Sequence, residues 1–121
     1  MKKIYAVYNG SFNYLEDIKI SPLSRAYTFS DSVYEVIPFF NFTAIAYKKH
    51  IHRLQNSCNA LGISINIEAI SSEITSLIKN SRLEHGYIYY QISRGIDALR
   101  SHMYEDSLDE ETFGYAVEHN F

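Results

Sequence analysis

Arg100 and His102 stand two residues apart in the stretch Ile96 to Asp109, which reads as a loop. In extended backbone, side chains at that spacing project to the same side. A guanidinium fork matches a carboxylate bidentately, and an imidazole beside it adds a donor. The pair could therefore grip an organic acid. An exposed arginine beside an exposed histidine explains the same residues, and on sequence chemistry alone that plainer reading leads. Arg53, next to the apolar Leu54 in a helical stretch, could reach a phosphate or simply a nearby carboxylate. His50-Ile51-His52 does not suggest a metal site, because helix positions two apart point about 200° apart. His85, His102 and His119 show no ligand spacing either, so no metal is expected. Cys58 falls in an apolar stripe and reads as an inert thiol. The acidic residues from Glu105 to Glu111 read as a solvated loop, and there is no glycine-rich phosphate loop.

These residues need elements to position them. Ile4 to Tyr8 and Phe12 to Leu15 read as strands about an Asn9-Gly10 hairpin turn. Pro22 to Ser32 reads as irregular. Val33 to Phe40 is a strand whose Pro38 should face an edge, with a turn at Asn41-Phe42 and a return strand near Thr43 to Ala46. Tyr47, Ile51, Leu54, Cys58 and Leu61 form one helical stripe stopped by Gly62. Ile67, Ile70, Ile74 and Leu77 form a second, with Asn66 at its N-cap. Tyr87 to Ser93 carries apolar or aromatic residues on both faces and should be a central strand. Thr112 to Glu118 is the last strand. The order predicts an α+β two-layer sandwich, a mostly antiparallel sheet with two helices on one face, over a single domain 1–121.

The 121 residues carry a net charge of −3 and no long basic run, which argues against nucleic-acid binding. One cysteine cannot form an internal disulfide, so a cytoplasmic setting is the expectation. The first residues lack the apolar core of a signal peptide, and no stretch approaches membrane-spanning length. Eleven Tyr and seven Phe, without Trp, suit half-wet clefts or simply strands.

Four segments, in order and at fitting separations, resemble the D-amino-acid-aminotransferase type of class IV (fold-type IV) pyridoxal-phosphate enzymes. Ser24 to Val36 is similar to that family's DRGYxFGDGVYEV segment, and His50-Ile51-His52-Arg53-Leu54 to its HIxRL helix. Tyr87 to Gly95 resembles its HIYxQVTRG strand, and Arg100-Ser101-His102 its RxH loop. The resemblance implies the small amino-terminal domain of such an enzyme. It implies that Arg53 binds the phosphate of pyridoxal 5'-phosphate, with His50 in support. It further implies that Tyr34, Arg100 and His102 hold a substrate carboxylate, the last two across a homodimer interface, and that Tyr89 lines the same pocket.

The lysine that carries the cofactor lies, in the family, beyond position 121. Lys2, Lys3, Lys19, Lys48, Lys49 and Lys79 do not match its position. The expectation is a chain that lacks the carboxyl-terminal lysine domain, is inactive alone and does not hold pyridoxal 5'-phosphate stably by itself. A non-catalytic dimerising module and one half of a two-chain enzyme are the alternatives. Family glycines are replaced at Ala26, Ser30, Ser32 and Phe42, and a phenylalanine at a positive-φ turn costs on the order of 1 kcal/mol.

Overall fold

The computed structural model describes residues 3–121. Strands β1 (Tyr5–Tyr8) and β2 (Ser11–Tyr14) form the first hairpin. Asn9 and Gly10 between them have φ of 46° and 83°, the double positive-φ turn that matches strand twist. A single 3₁₀ turn, Leu15–Asp17, follows. Next comes a short helix, α1 (Arg25–Phe29), in the segment expected to be irregular. The Ser24 side chain caps it by accepting from the Ala26 amide, and Ser30 ends it at φ 53°. Five residues are too few to show a periodic apolar stripe, so only the Ser24 cap signalled it.

Strand β3 (Ser32–Phe40) turns through Asn41 and Phe42, φ 52° and 63°, into the two-residue β4 (Thr43–Ala44). The Pro38 carbonyl accepts from the Ile45 amide at 2.8 Å. In a strand, a residue's N and C=O face the same way. The proline nitrogen therefore faces the β4 edge, away from β5 (Gly86–Ser93), as expected. Of the four glycine replacements, Ser30 and Phe42 occupy positive φ, and Ala26 and Ser32 do not. Strain from these replacements is thus confined to two turns.

Helices α2 (Tyr47–Leu61) and α3 (Ile67–Ser81) follow. Gly62 ends α2 in the left-handed region, and the Asn66 side chain caps α3 by accepting from Ala69 N. Strand β6 (Glu111–Glu118) completes a six-stranded sheet ordered β2-β1-β6-β5-β3-β4, antiparallel at every pairing. β5 is central, between β3 and β6. Both long helices cover one face. Ile37, Phe39, Ile88, Tyr90, Ile92 and Ala116 from the sheet meet Leu54, Cys58, Ile70, Ile74 and Leu77 from the helices. Burying each aliphatic side chain of that size contributes roughly 1.5–3 kcal/mol. The sheet's other face carries Tyr34, Val36, Tyr89, Gln91, Phe113 and Tyr115, by alternation and register.

Tyr90 lies flat against β6 where Gly114 leaves room, since a Cβ there would meet the Tyr90 ring at 2.7 Å. Its hydroxyl and one Glu73 carboxyl oxygen are buried, and neither makes a hydrogen bond of good geometry. Burial raises the Glu73 carboxyl above its ordinary 4.5. The folded chain then binds that proton more tightly than the unfolded chain. The stability tied to this group is complete below 4.5 and declines as pH rises. Glu73→Gln should therefore raise the melting temperature by a few degrees at neutral pH and leave it nearly unchanged at acidic pH. Thermal unfolding of both chains across the pH range checks this; equal gains at both ends would contradict it.

Candidate functional site

Alternation along β3 puts Glu35 on the same face as Ile37 and Phe39, under the helices, where it is 3% exposed. A carboxylate there needs partners, and α2 supplies two. Arg53 Nε donates to Glu35 Oε2 at 2.7 Å, and Nη2 donates to Oε1 at 2.8 Å. His50 Nδ1 lies 2.7 Å from Glu35 Oε1 and must be the donor, because an ionised carboxylate only accepts. His50 and Arg53 are three residues apart on one helix face, so one carboxylate reaches both. Burial pushes Glu35 up, but the Arg53 and His50 hydrogen bonds outweigh it and hold it below its ordinary value. The hydrogen bond to Glu35 raises the Arg53 guanidinium above its ordinary value.

This arrangement leaves a donor over on Arg53, and on His50 a second ring nitrogen that accepts when the imidazole is neutral. No hydrogen bond among the described residues uses Arg53 Nη1 or His50 Nε2, and the Arg53 side chain is 67% exposed. Lys48 and Lys49, in the first turn of α2, are exposed as well. The surface is cationic, with a guanidinium fixed in direction by a carboxylate behind it. That chemistry fits a phosphoryl group. His52 is exposed on the helix and takes no part.

Tyr34 and Tyr89 lie on the sheet face opposite the helices. Their rings stack at 5.7 Å, and Tyr89 stacks on Tyr115 at 5.4 Å. The Tyr89 hydroxyl donates to Gln91 Oε1 at 2.7 Å, and burial raises the phenol's pKa. Tyr34 is exposed. Arg100 and His102 come together elsewhere, around Phe29 of α1. The Arg100 guanidinium lies 4.2 Å from that ring's centroid, and the His102 ring meets it edge-on at 5.3 Å. Within this chain, among the described residues, no hydrogen bond or ring contact joins this pair to Tyr34 or Tyr89. The six candidate residues thus form three patches.

Sequence reasoning missed what supports these patches. Glu35 is one omission, although a charge at a core-facing strand position was a visible signal. A buried ionic network is another. Arg25 donates to Asp31 at 2.9 Å, to Asp97 at 2.7 Å and to the Ser101 carbonyl at 2.7 Å. Arg94 donates to both Asp31 oxygens and to the Leu61 carbonyl, and lies 3.9 Å from the Tyr104 ring centroid. Burial raises Asp31, but Arg94 and Arg25 together bring it below its ordinary value. The network ties α1, the end of β5 and the Arg100 loop together through Ser101, between the two candidate carboxylate ligands. Cys58 is fully buried, and burial, then Glu110, pushes its thiol up to about 11, so it is unreactive as expected. Among the described residues, no group of three or more His, Cys, Asp or Glu side chains is placed to hold a metal ion. No helix among them is long and apolar enough to cross a membrane.

Residues 32–121 match the family described as Amino-transferase class IV. D-alanine aminotransferase of Staphylococcus epidermidis is 33% identical over 106 residues, covering 86% of this chain and 36% of the relative. That of Listeria monocytogenes is 30% identical over 93 residues, covering 75% of this chain and 32% of its own length. The chain therefore spans about a third of the length of these curated relatives. A branched-chain amino acid aminotransferase from Escherichia coli superposes with a TM-score of 0.87 at 20% identity, over 97% of this chain and 41% of that one. A second branched-chain amino acid aminotransferase, complexed with N-(5'-phosphopyridoxyl)-L-glutamate, gives a TM-score of 0.83 at 25% identity, over 98% of this chain and 41% of that one. The matched family segment takes in β3, both long helices, β5 and β6, and with them Glu35, Arg53 and the Arg100 loop, so the chain belongs to the class IV aminotransferases.

Proposed function

We propose that residues 1–121 act as the amino-terminal domain of a pyridoxal-phosphate-dependent D-amino-acid aminotransferase of the D-alanine type. The observation that carries this reading is the Glu35 clamp on α2. It leaves Arg53 Nη1 unused on a largely exposed side chain, as a fixed donor for a phosphate. The D-alanine aminotransferase relatives support the D-amino-acid branch, and the Arg100-Ser101-His102 loop fits it.

Each patch has one task. Arg53 holds the cofactor's phosphate, and His50 supports it by sharing Glu35. Tyr34 offers its hydroxyl to a substrate carboxylate, and Tyr89, tied to Gln91, forms the wall beside it. Arg100 and His102 hold the carboxylate of substrate bound on a second copy, which agrees with their lack of contact with the Tyr34–Tyr89 stack. Gripping a carboxylate at one end fixes which face of Cα meets the cofactor. The cofactor, when bound, supplies the electron-withdrawing ring that transamination needs. These 121 residues alone do not turn over, because none of their lysines stands at the cofactor-bearing position.

A second reading, a non-catalytic dimerising module, draws on one observation. Tyr27, Leu99 and Met103 are 79%, 76% and 85% exposed around the Arg100 loop. Large apolar side chains left this exposed favour contact with another surface.

Two outcomes test the main reading. The purified 121-residue chain with pyridoxal phosphate, D-alanine and 2-oxoglutarate should form no D-glutamate. Its binding of pyridoxal phosphate, though weak, should be at least tenfold tighter than that of pyridoxal, and Arg53→Ala should abolish that preference. Turnover by this chain, or a preference that survives Arg53→Ala, would contradict the reading. Sedimentation equilibrium should find a homodimer; a monomer at high concentration would remove the in-trans role of Arg100 and His102.

A further inference from the structure

A cavity of about 410 Å³ opens on the sheet side of α1, lined by Ile20, Pro22, Tyr27, Gln91, Glu111 and Phe113 among others. Its walls are otherwise apolar or neutral, and Glu111 is its one charged residue. Glu111 is 5% exposed. The Tyr8 and Ser24 hydroxyls donate to its two oxygens, and the Ser93 hydroxyl donates at 3.0 Å. Burial, then the bond to Glu111, pushes the Tyr8 phenol up to about 12.

The buried charge lacks a counter-ion. No Lys, Arg or His among the described residues pairs with Glu111. The arginine nearest in sequence to its Ser24 partner, Arg25, is committed to Asp31, Asp97 and the Ser101 carbonyl. A buried carboxylate held only by neutral hydroxyls is costly, and natural sites pair or coordinate such charges. Two ionised oxygens offer about four acceptor directions, of which the three hydroxyls use three. The remaining one suits a single strong donor. Tyr27 and Phe113 supply aromatic surface on which a cation is attracted. One carboxylate among apolar walls is poor in ligands for a metal ion, and right for an ammonium on a carbon chain.

We propose that this cavity binds an alkylammonium group, its nitrogen on the Glu111 carboxylate and its alkyl stem against Ile20, Pro22 and Phe113. The group could belong to a free amine or to a lysine side chain of another polypeptide segment. Both present the same chemistry.

Titration of the ¹⁵N-labelled chain with n-hexylammonium, with 1-hexanol as its neutral counterpart, tests this. Hexylammonium should shift the amides of Ala26, Gln91 and Phe113 with an affinity at least tenfold above that of hexanol. Glu111→Gln should bring the two ligands level. Tyr27→Ala, at an exposed position that leaves the core intact, should weaken hexylammonium several-fold, so the test survives if Glu111→Gln fails to fold. Nα-acetyl-lysine amide separates the sources: binding comparable to hexylammonium admits a lysine side chain, and binding of hexylammonium alone restricts the site to free amines. Equal affinity for hexylammonium and hexanol, or an unchanged preference in Glu111→Gln, would overturn the proposal and leave Glu111 a structural carboxylate.

Discussion

The candidate cofactor site depends on one carboxylate that the fold cannot leave unpaired. Glu35 sits at a core-facing position of β3, where an ionised group without partners would be strongly unfavourable. The fork of Arg53 and the imidazole of His50 resolve this by coming down from α2. The same bonds orient the helix on the sheet and fix the direction of the remaining guanidinium donor. A guanidinium on a free, flexible stem would lose conformational entropy on gripping an anion. One already held by two hydrogen bonds loses less. The structural bond and the proposed binding role are thus one device.

The same logic recurs at the other end of the sheet. Arg25 and Arg94 share Asp31, and Arg25 also reaches Asp97 and the Ser101 carbonyl. Phe29 carries the Arg25 and Arg100 guanidiniums at 4.3 and 4.2 Å from its centroid. The loop bearing Arg100 and His102 is therefore seated on a rigid base, although it holds no regular secondary structure of its own. A loop proposed to present a carboxylate trap to another surface benefits from such a base.

Much of the fold was legible because its signals are local and periodic. Both long helices follow from stripes at three- and four-residue steps, and the first hairpin from Asn9-Gly10. The central place of β5 follows from apolar or aromatic residues on both its faces, with Tyr87 and Tyr89 on one and Ile88, Tyr90 and Ile92 on the other. Helix α1 was not legible, since five residues give no period and its stability comes from Arg25 reaching Asp97, 72 positions away. The site was legible only as motif. Arg53, His50, Arg100 and His102 could be named from the sequence. What holds them could not, because Glu35 to Arg53 and Arg25 to Ser101 are pairings the sequence does not put side by side. Nor does local sequence show that Arg100 and His102 gather on Phe29 and not beside Tyr34 and Tyr89.

The most direct measurement of the central claim is the ¹⁵N resonance of the Arg53 Nε–H as a function of pH. Held by Glu35, that proton should exchange slowly with water at neutral pH, far more slowly than that of the exposed Arg100. Because the Glu35 pKa is lowered, the slow signal should persist at the ordinary carboxylate value of 4.5 and vanish only below it. It should be absent in Glu35→Gln at every pH. An Arg53 signal that exchanges as fast as Arg100 in the unmodified chain, or that survives Glu35→Gln, would contradict the account.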